Sequence, residues 1–125
     1  MSLRLLGLAV FALFPSSTAS RAQTYAANTN HCAVKFYDPD KYNWLVYRNT
    51  CNAAIYIVYV SNDGHRTGSM HLGIGKHDST GHDVNEVTSW GGFETYACEE
   101  GDTPVGPDGQ FVTRPNVLFR CRSTD

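Results

Sequence analysis

Ala53-Ala54-Ile55-Tyr56-Ile57-Val58-Tyr59-Val60 runs straight into Ser61-Asn62-Asp63-Gly64. The first eight residues are β-branched or aromatic with apolar groups at consecutive positions. Such a segment reads as a central strand that must be covered on both faces. Asp63-Gly64 is a strong hairpin signal, and Met70-His71-Leu72-Gly73-Ile74 supplies the alternation of a partner strand with one buried face. Working outward, Ala33-Val34-Lys35-Phe36-Tyr37 and Trp44-Leu45-Val46-Tyr47 read as strands separated by the turn Asp38-Pro39-Asp40. On the other side, Val87-Thr88-Ser89-Trp90 and Phe93-Glu94-Thr95-Tyr96-Ala97-Cys98 flank Gly91-Gly92. A loop passes through Thr103-Pro104 and Pro107-Asp108-Gly109 before Val117-Leu118-Phe119-Arg120-Cys121. No capped amphipathic helix stands out. The expected fold is all-β, a small antiparallel sandwich or barrel of about seven short strands.

The 125 residues suit one domain and are too few for two ordinary cores. Seven Tyr, six Phe and two Trp exclude a disordered chain, which lacks the apolar area to offset its ordering entropy. Met1 to Ala22 has the layout of a secretory signal: Arg4, the apolar run Leu5–Phe14, Pro15, then small residues up to Ser20 and Ala22. That run would span about 15 Å as a helix, half of the roughly 30 Å needed to cross a bilayer, so no transmembrane anchor is expected. The expected division is a signal peptide over residues 1–22 and a single β domain over 23–125, secreted or periplasmic. Removing 1–22 takes away Arg4 and Arg21 and no acid, leaving eight basic side chains against twelve acidic ones. A mildly acidic chain of this kind offers nothing to nucleic acid.

All four cysteines, Cys32, Cys51, Cys98 and Cys121, follow the signal. An even number in a small exported chain reads as two disulfides. Three pairings are open; the favoured one joins sequence neighbours, Cys32–Cys51 and Cys98–Cys121, each bridge contributing about 3 kcal/mol through loop closure. None of the spacings has the C-x₂₋₄-C form of a zinc thiolate site, and no C-x-x-C marks a thiol-disulfide oxidoreductase.

Asn49-Thr50-Cys51 leading into a strand, a glycine-containing middle, Tyr96-Ala97-Cys98 and the late Cys121-Arg122 together resemble small exported bacterial proteins of uncharacterised function. The resemblance covers roughly Arg48 to Arg122. It implies a disulfide-bonded β-domain outside the cytoplasm and carries over no catalytic residue. His31 to Tyr47, with Cys32, lies outside it.

Three kinds of site compete. His65, His71, His77 and His82 cluster, and His77-Asp78-Ser79-Thr80-Gly81-His82-Asp83 repeats a His-Asp pair. Imidazole with carboxylate suits Zn²⁺ or Cu²⁺. His65 and His71 stand too far apart on one strand, so the expected group is His77 and His82 with Asp78 or Asp83, folded together by a loop at Gly81. The plainer alternative is turn chemistry. A small secreted hydrolase has an inventory to draw on in His31, His71, Glu86, Glu94, Glu99 and Glu100, with Arg66, Arg114, Arg120 and Arg122 as anion stabilisers. It lacks G-x-S-x-G and a free thiol, and Gly73-Ile74-Gly75-Lys76 lacks the spacing of a phosphate loop. Aromatic residues give the third candidate, with Trp90 and Phe93 around the glycine pair and Tyr42 and Trp44 in the first cysteine loop. These rings either fill the core or form a binding surface. The expectation is a non-enzymatic exported binding domain for a protein or envelope component, with metal binding and hydrolysis as alternatives.

Overall fold

Strand β4 (Ile55–Ser61) lies between β5 (Thr67–Leu72) and β7 (Phe93–Glu99) in an antiparallel sheet. Its two faces meet two different apolar clusters, as the unbroken run of large residues requires. Ile55, Ile57 and Tyr59 join Leu45, Tyr47, Met70, Leu72, Val87, Phe93 and Ala97. Val58 and Val60 join Tyr96 and Val112, with half-buried Tyr56, Val117 and Phe119 packed around them. The computed structural model describes residues 24–123, and the expected export signal over 1–22 lies outside them.

A second antiparallel sheet contains β2 (Ala33–Asp38), β3 (Trp44–Asn49) and β6 (His77–Asp83) in the order β2-β3-β6. Leu45 and Tyr47 of β3 put this sheet against the first face of β4. The third sheet pairs β1 (Tyr25–Ala26), β9 (Arg120–Arg122) and β8 (Thr103–Val105) in the order β1-β9-β8. The all-β expectation holds. The cysteines pair Cys32–Cys51 and Cys98–Cys121. The second bridge ties β7 to β9 and so joins two sheets.

The structure corrects the sequence reading in three places. Val87-Thr88-Ser89-Trp90 is not a strand: Val84–Ser89 forms the short helix α1 and Trp90 is its C-cap. Asp83 Oδ1 accepts the Glu86 N–H at 2.9 Å, and Glu86 Oε1 accepts the Asp83 N–H at 3.2 Å. This reciprocal capping box satisfies orphan amide groups of the first turn. His77–Asp83, read as a loop, is strand β6, and Thr103–Val105, also read as loop, is β8.

The free edge of β7 is closed by a short polar strap. Asn30 Nδ2 donates to Thr95 O at 3.0 Å, Asn30 Oδ1 accepts from Ala97 N at 2.7 Å, and Thr29 N donates to Ala97 O at 2.8 Å. A side-chain amide here stands in for the backbone of a neighbouring strand, which removes an edge open to association.

Candidate functional site

The turn between β2 and β3 is built to present a ring. Asn43 N and Lys41 N both donate to Asp38 O, Trp44 N donates to Lys41 O, and Asp40 N donates to Asp38 Oδ1 at 3.0 Å. Asn43 O in turn accepts the Val84 N–H at the start of α1. Within this network Tyr42 and Asn43 take φ of 58° and 56°. Asn tolerates the left-handed region; a tyrosine there is uncommon and has to be held by its surroundings. The result is a Tyr42 side chain 77% exposed, with its ring centroid 5.1 Å from that of Trp44 and tilted 49° to it.

Trp44 opens β3, where side chains alternate. Leu45, Tyr47 and Asn49 are buried on one face of β3; Trp44, Val46 and Arg48 lie on the other, where Val46 is itself only 2% exposed. Their partners across β2 are Asp38, Phe36 and Val34, and across β6 Ser79 faces Val46 while His77 faces Arg48. Next to the two rings lies a depression of about 280 Å³ lined by Asp38, Lys41, Trp44, Val46, His77, Asp78 and Ser79. Its wall combines an indole face, a hydroxyl, an imidazole, an ammonium and two carboxylates. That set can stack on a flat or chair-shaped ligand face and hydrogen-bond both donors and acceptors around its rim. Two carboxylates against one ammonium leave the lining slightly acidic, which disfavours an anionic ligand.

His77, the expected metal ligand in this region, therefore lines the depression. Asp78 lines it as well and has further contacts, whereas His82 and Asp83 do different work. Asp78 Oδ1 accepts the Ser79 N–H at 2.8 Å, and the Asp78 carboxylate adds to the burial that pushes the Tyr59 hydroxyl above its ordinary range. His82 Nδ1 lies 3.6 Å from Glu86 Oε1, and its ring meets that of Trp90 edge-on at 4.9 Å. Asp83 caps α1. The expected convergence of His77, His82, Asp78 and Asp83 is not found: no three of them bring ligand atoms within 4.8 Å of one another, and β6 shifts its register with β3 between Ser79 and Asp83. Among the described residues, the His31, Cys32 and Cys51 ligand atoms do lie within 4.8 Å of one another, but the two sulfurs are bonded to each other.

The aromatic candidates separate in the same way. Phe93 is only 5% exposed and belongs to the core. Trp90 is half-buried against that core, with the Arg66 guanidinium 4.9 Å from its ring centroid. Of the hydrolase candidates, His71 and Glu100 come together as a pair. His71 Nδ1 sits 2.9 Å from both Glu100 oxygens with its ring on Tyr56, Arg120 lies over the Tyr25 ring, and Arg122 donates to Gly109 O. The sequence carried one unread signal, the capping-box spacing of Asp83-Val84-Asn85-Glu86, while the turn read at Asp38-Pro39-Asp40 has Tyr42 at its tip. No family model, curated protein or solved structure matches this chain.

Proposed function

We propose that the protein is a non-enzymatic binding domain of the secreted or periplasmic space, and that its ligand is a neutral saccharide segment of a cell-envelope component. The observation that carries this reading is Tyr42, exposed on a hydrogen-bonded left-handed turn and set against Trp44 at the rim of a polar depression. Backbone in this region costs about 1–3 kcal/mol per residue, and it persists where surrounding bonds over-determine it. A turn with no task has no reason to keep a tyrosine there. Sugar rings present an apolar face edged by hydroxyls. The rings of Tyr42 and Trp44 would meet the face, and Asp38, Lys41, His77 and Ser79 would meet the hydroxyls. The two disulfides fit an oxidising compartment. Among the described residues no helix is long and apolar enough to cross a membrane.

Calorimetry with an N-acetylglucosamine tetramer, and separately with soluble peptidoglycan fragments, tests the proposal. Wild type should bind at least one of them. Tyr42→Ala and Trp44→Ala should each weaken binding roughly tenfold, the loss of one aromatic contact of about 1.4 kcal/mol. Trp90→Phe should leave it unchanged. No heat with either saccharide, or equal affinity for wild type and Trp44→Ala, would contradict the reading.

A further inference from the structure

The two disulfides sit in different surroundings. Cys98 and Cys121 are both 0% exposed, and the Cys121 sulfur lies 3.6 Å from Ala97 O. Cys32 is also buried, but its partner Cys51 is only half-buried. Exposed His31 stands beside this bridge, its Nε2 3.6 Å from Cys32 Sγ. The imidazole thus touches the sulfur of the buried cysteine, and Cys51 is the less covered residue of the pair. Thiol exchange needs this division of roles, because one sulfur must be reachable by a thiolate and the other must leave with its charge stabilised.

We propose that Cys32–Cys51 is a thiol-exchange site, at which a small thiol or dithiol attacks Cys51 and expels Cys32 toward His31. The incoming thiolate forms a bond to Cys51 Sγ as the Cys32–Cys51 bond breaks. The electron pair goes to Cys32 Sγ, and protonated His31 delivers its Nε2 proton to that thiolate. The product is a mixed disulfide on Cys51 and a free thiol at Cys32. A second thiol then attacks the outer sulfur of the mixed disulfide and releases Cys51. The protein bridge has gained two electrons, and the two thiols have left as their own disulfide. The chain has no C-x-x-C, so it is the recipient of exchange and not its catalyst.

The backbone keeps both ends in place while the bridge is open. Thr50 N and Thr50 Oγ1 both donate to Cys32 O, at 3.0 and 3.3 Å, and Cys51 N donates to Asn49 Oδ1 at 3.0 Å. Opening is therefore local and can be reversed. This inference stands apart from the saccharide proposal and uses none of its residues.

The test is to incubate the folded protein with reduced glutathione, block free thiols with iodoacetamide and map the peptides by mass spectrometry. Glutathione should appear on Cys51, the alkyl group on Cys32, and Cys98–Cys121 should remain intact. His31→Ala, with an unchanged circular dichroism spectrum, should form the adduct on the order of tenfold more slowly, as expected when a leaving thiolate loses one charge-assisted hydrogen bond. Glutathione on Cys32, simultaneous opening of both bridges, no adduct on the native protein, or an undiminished rate in His31→Ala would each overturn the proposal.

Discussion

Asn49 is fully buried at the end of β3, and every part of its amide is used. Nδ2 faces the carbonyls of Ala53, Leu72 and Gly73 at 2.8, 3.1 and 3.2 Å, and Oδ1 accepts from Cys51 N. One side chain thus joins the exit of β3, the entry to β4 and the end of β5. Asn49→Ala leaves several buried groups without partners and should cost about 2–4 kcal/mol in chemical denaturation. Asn49→Asp, which aims an anion at three carbonyls, should cost more. Tyr47 is buried in the same layer, its hydroxyl 2.8 Å from Thr95 Oγ1, and burial pushes its ionisation far above the ordinary value of 10.0. Above pH 10 the unfolded chain releases a proton that the native state retains, so stability is full below that pH and falls as pH rises. Tyr47→Phe should be about 1 kcal/mol less stable at pH 7 through the lost hydrogen bond, yet decline less steeply in alkali. Parallel alkaline limbs for the two proteins would mean that Tyr47 ionises freely in the native state.

Among the elements, β4 and the β4–β5 hairpin were legible because hydrophobic pattern and turn chemistry agree there. Helix α1 was not. Val87, Thr88 and Trp90 have strand propensity, and the choice is made instead by the Asp83–Glu86 box and by Val87, which enters the core. Asp83→Ala should therefore cost about 1 kcal/mol, the usual worth of an N-cap. A change near zero in thermal melting would show that packing of Val87 alone sets the helix. Strand β6 escaped for a different reason. Its single buried side chain is Thr80, whose Oγ1 donates to Leu45 O at 3.0 Å, so the segment has no hydrophobic alternation to read. Backbone pairing with β3 makes it a strand. That pairing sets His77 opposite Arg48, while His82 meets Glu86 and Trp90, and the expected metal group does not form.

At the scale of the whole molecule, the sequence revealed the strand-rich character and favoured, among three possible pairings, the sequence-neighbour disulfides that the structure holds. It did not reveal that the segment carrying Val112, Val117 and Phe119 covers the second face of β4, because those side chains are spaced without a helix or strand period around Thr113-Arg114-Pro115-Asn116. The aromatic residues were visible as a set, but only the packing of the sheets sorts them. Phe93 goes to the core, Trp90 rests on it, and Tyr42 with Trp44 faces outward. That sorting underlies the functional proposal, and the chain holds its own reporters for it, because it has two tryptophans. An NMR titration of the ¹⁵N-labelled protein with soluble peptidoglycan fragments or the N-acetylglucosamine tetramer follows both indole N–H signals separately. The predicted result is a saturable shift of the Trp44 indole, with the Lys41, Tyr42 and His77 amides, while the Trp90 indole stays in place. A shift confined to Trp90, or no shift of Trp44 with either saccharide, would contradict the account.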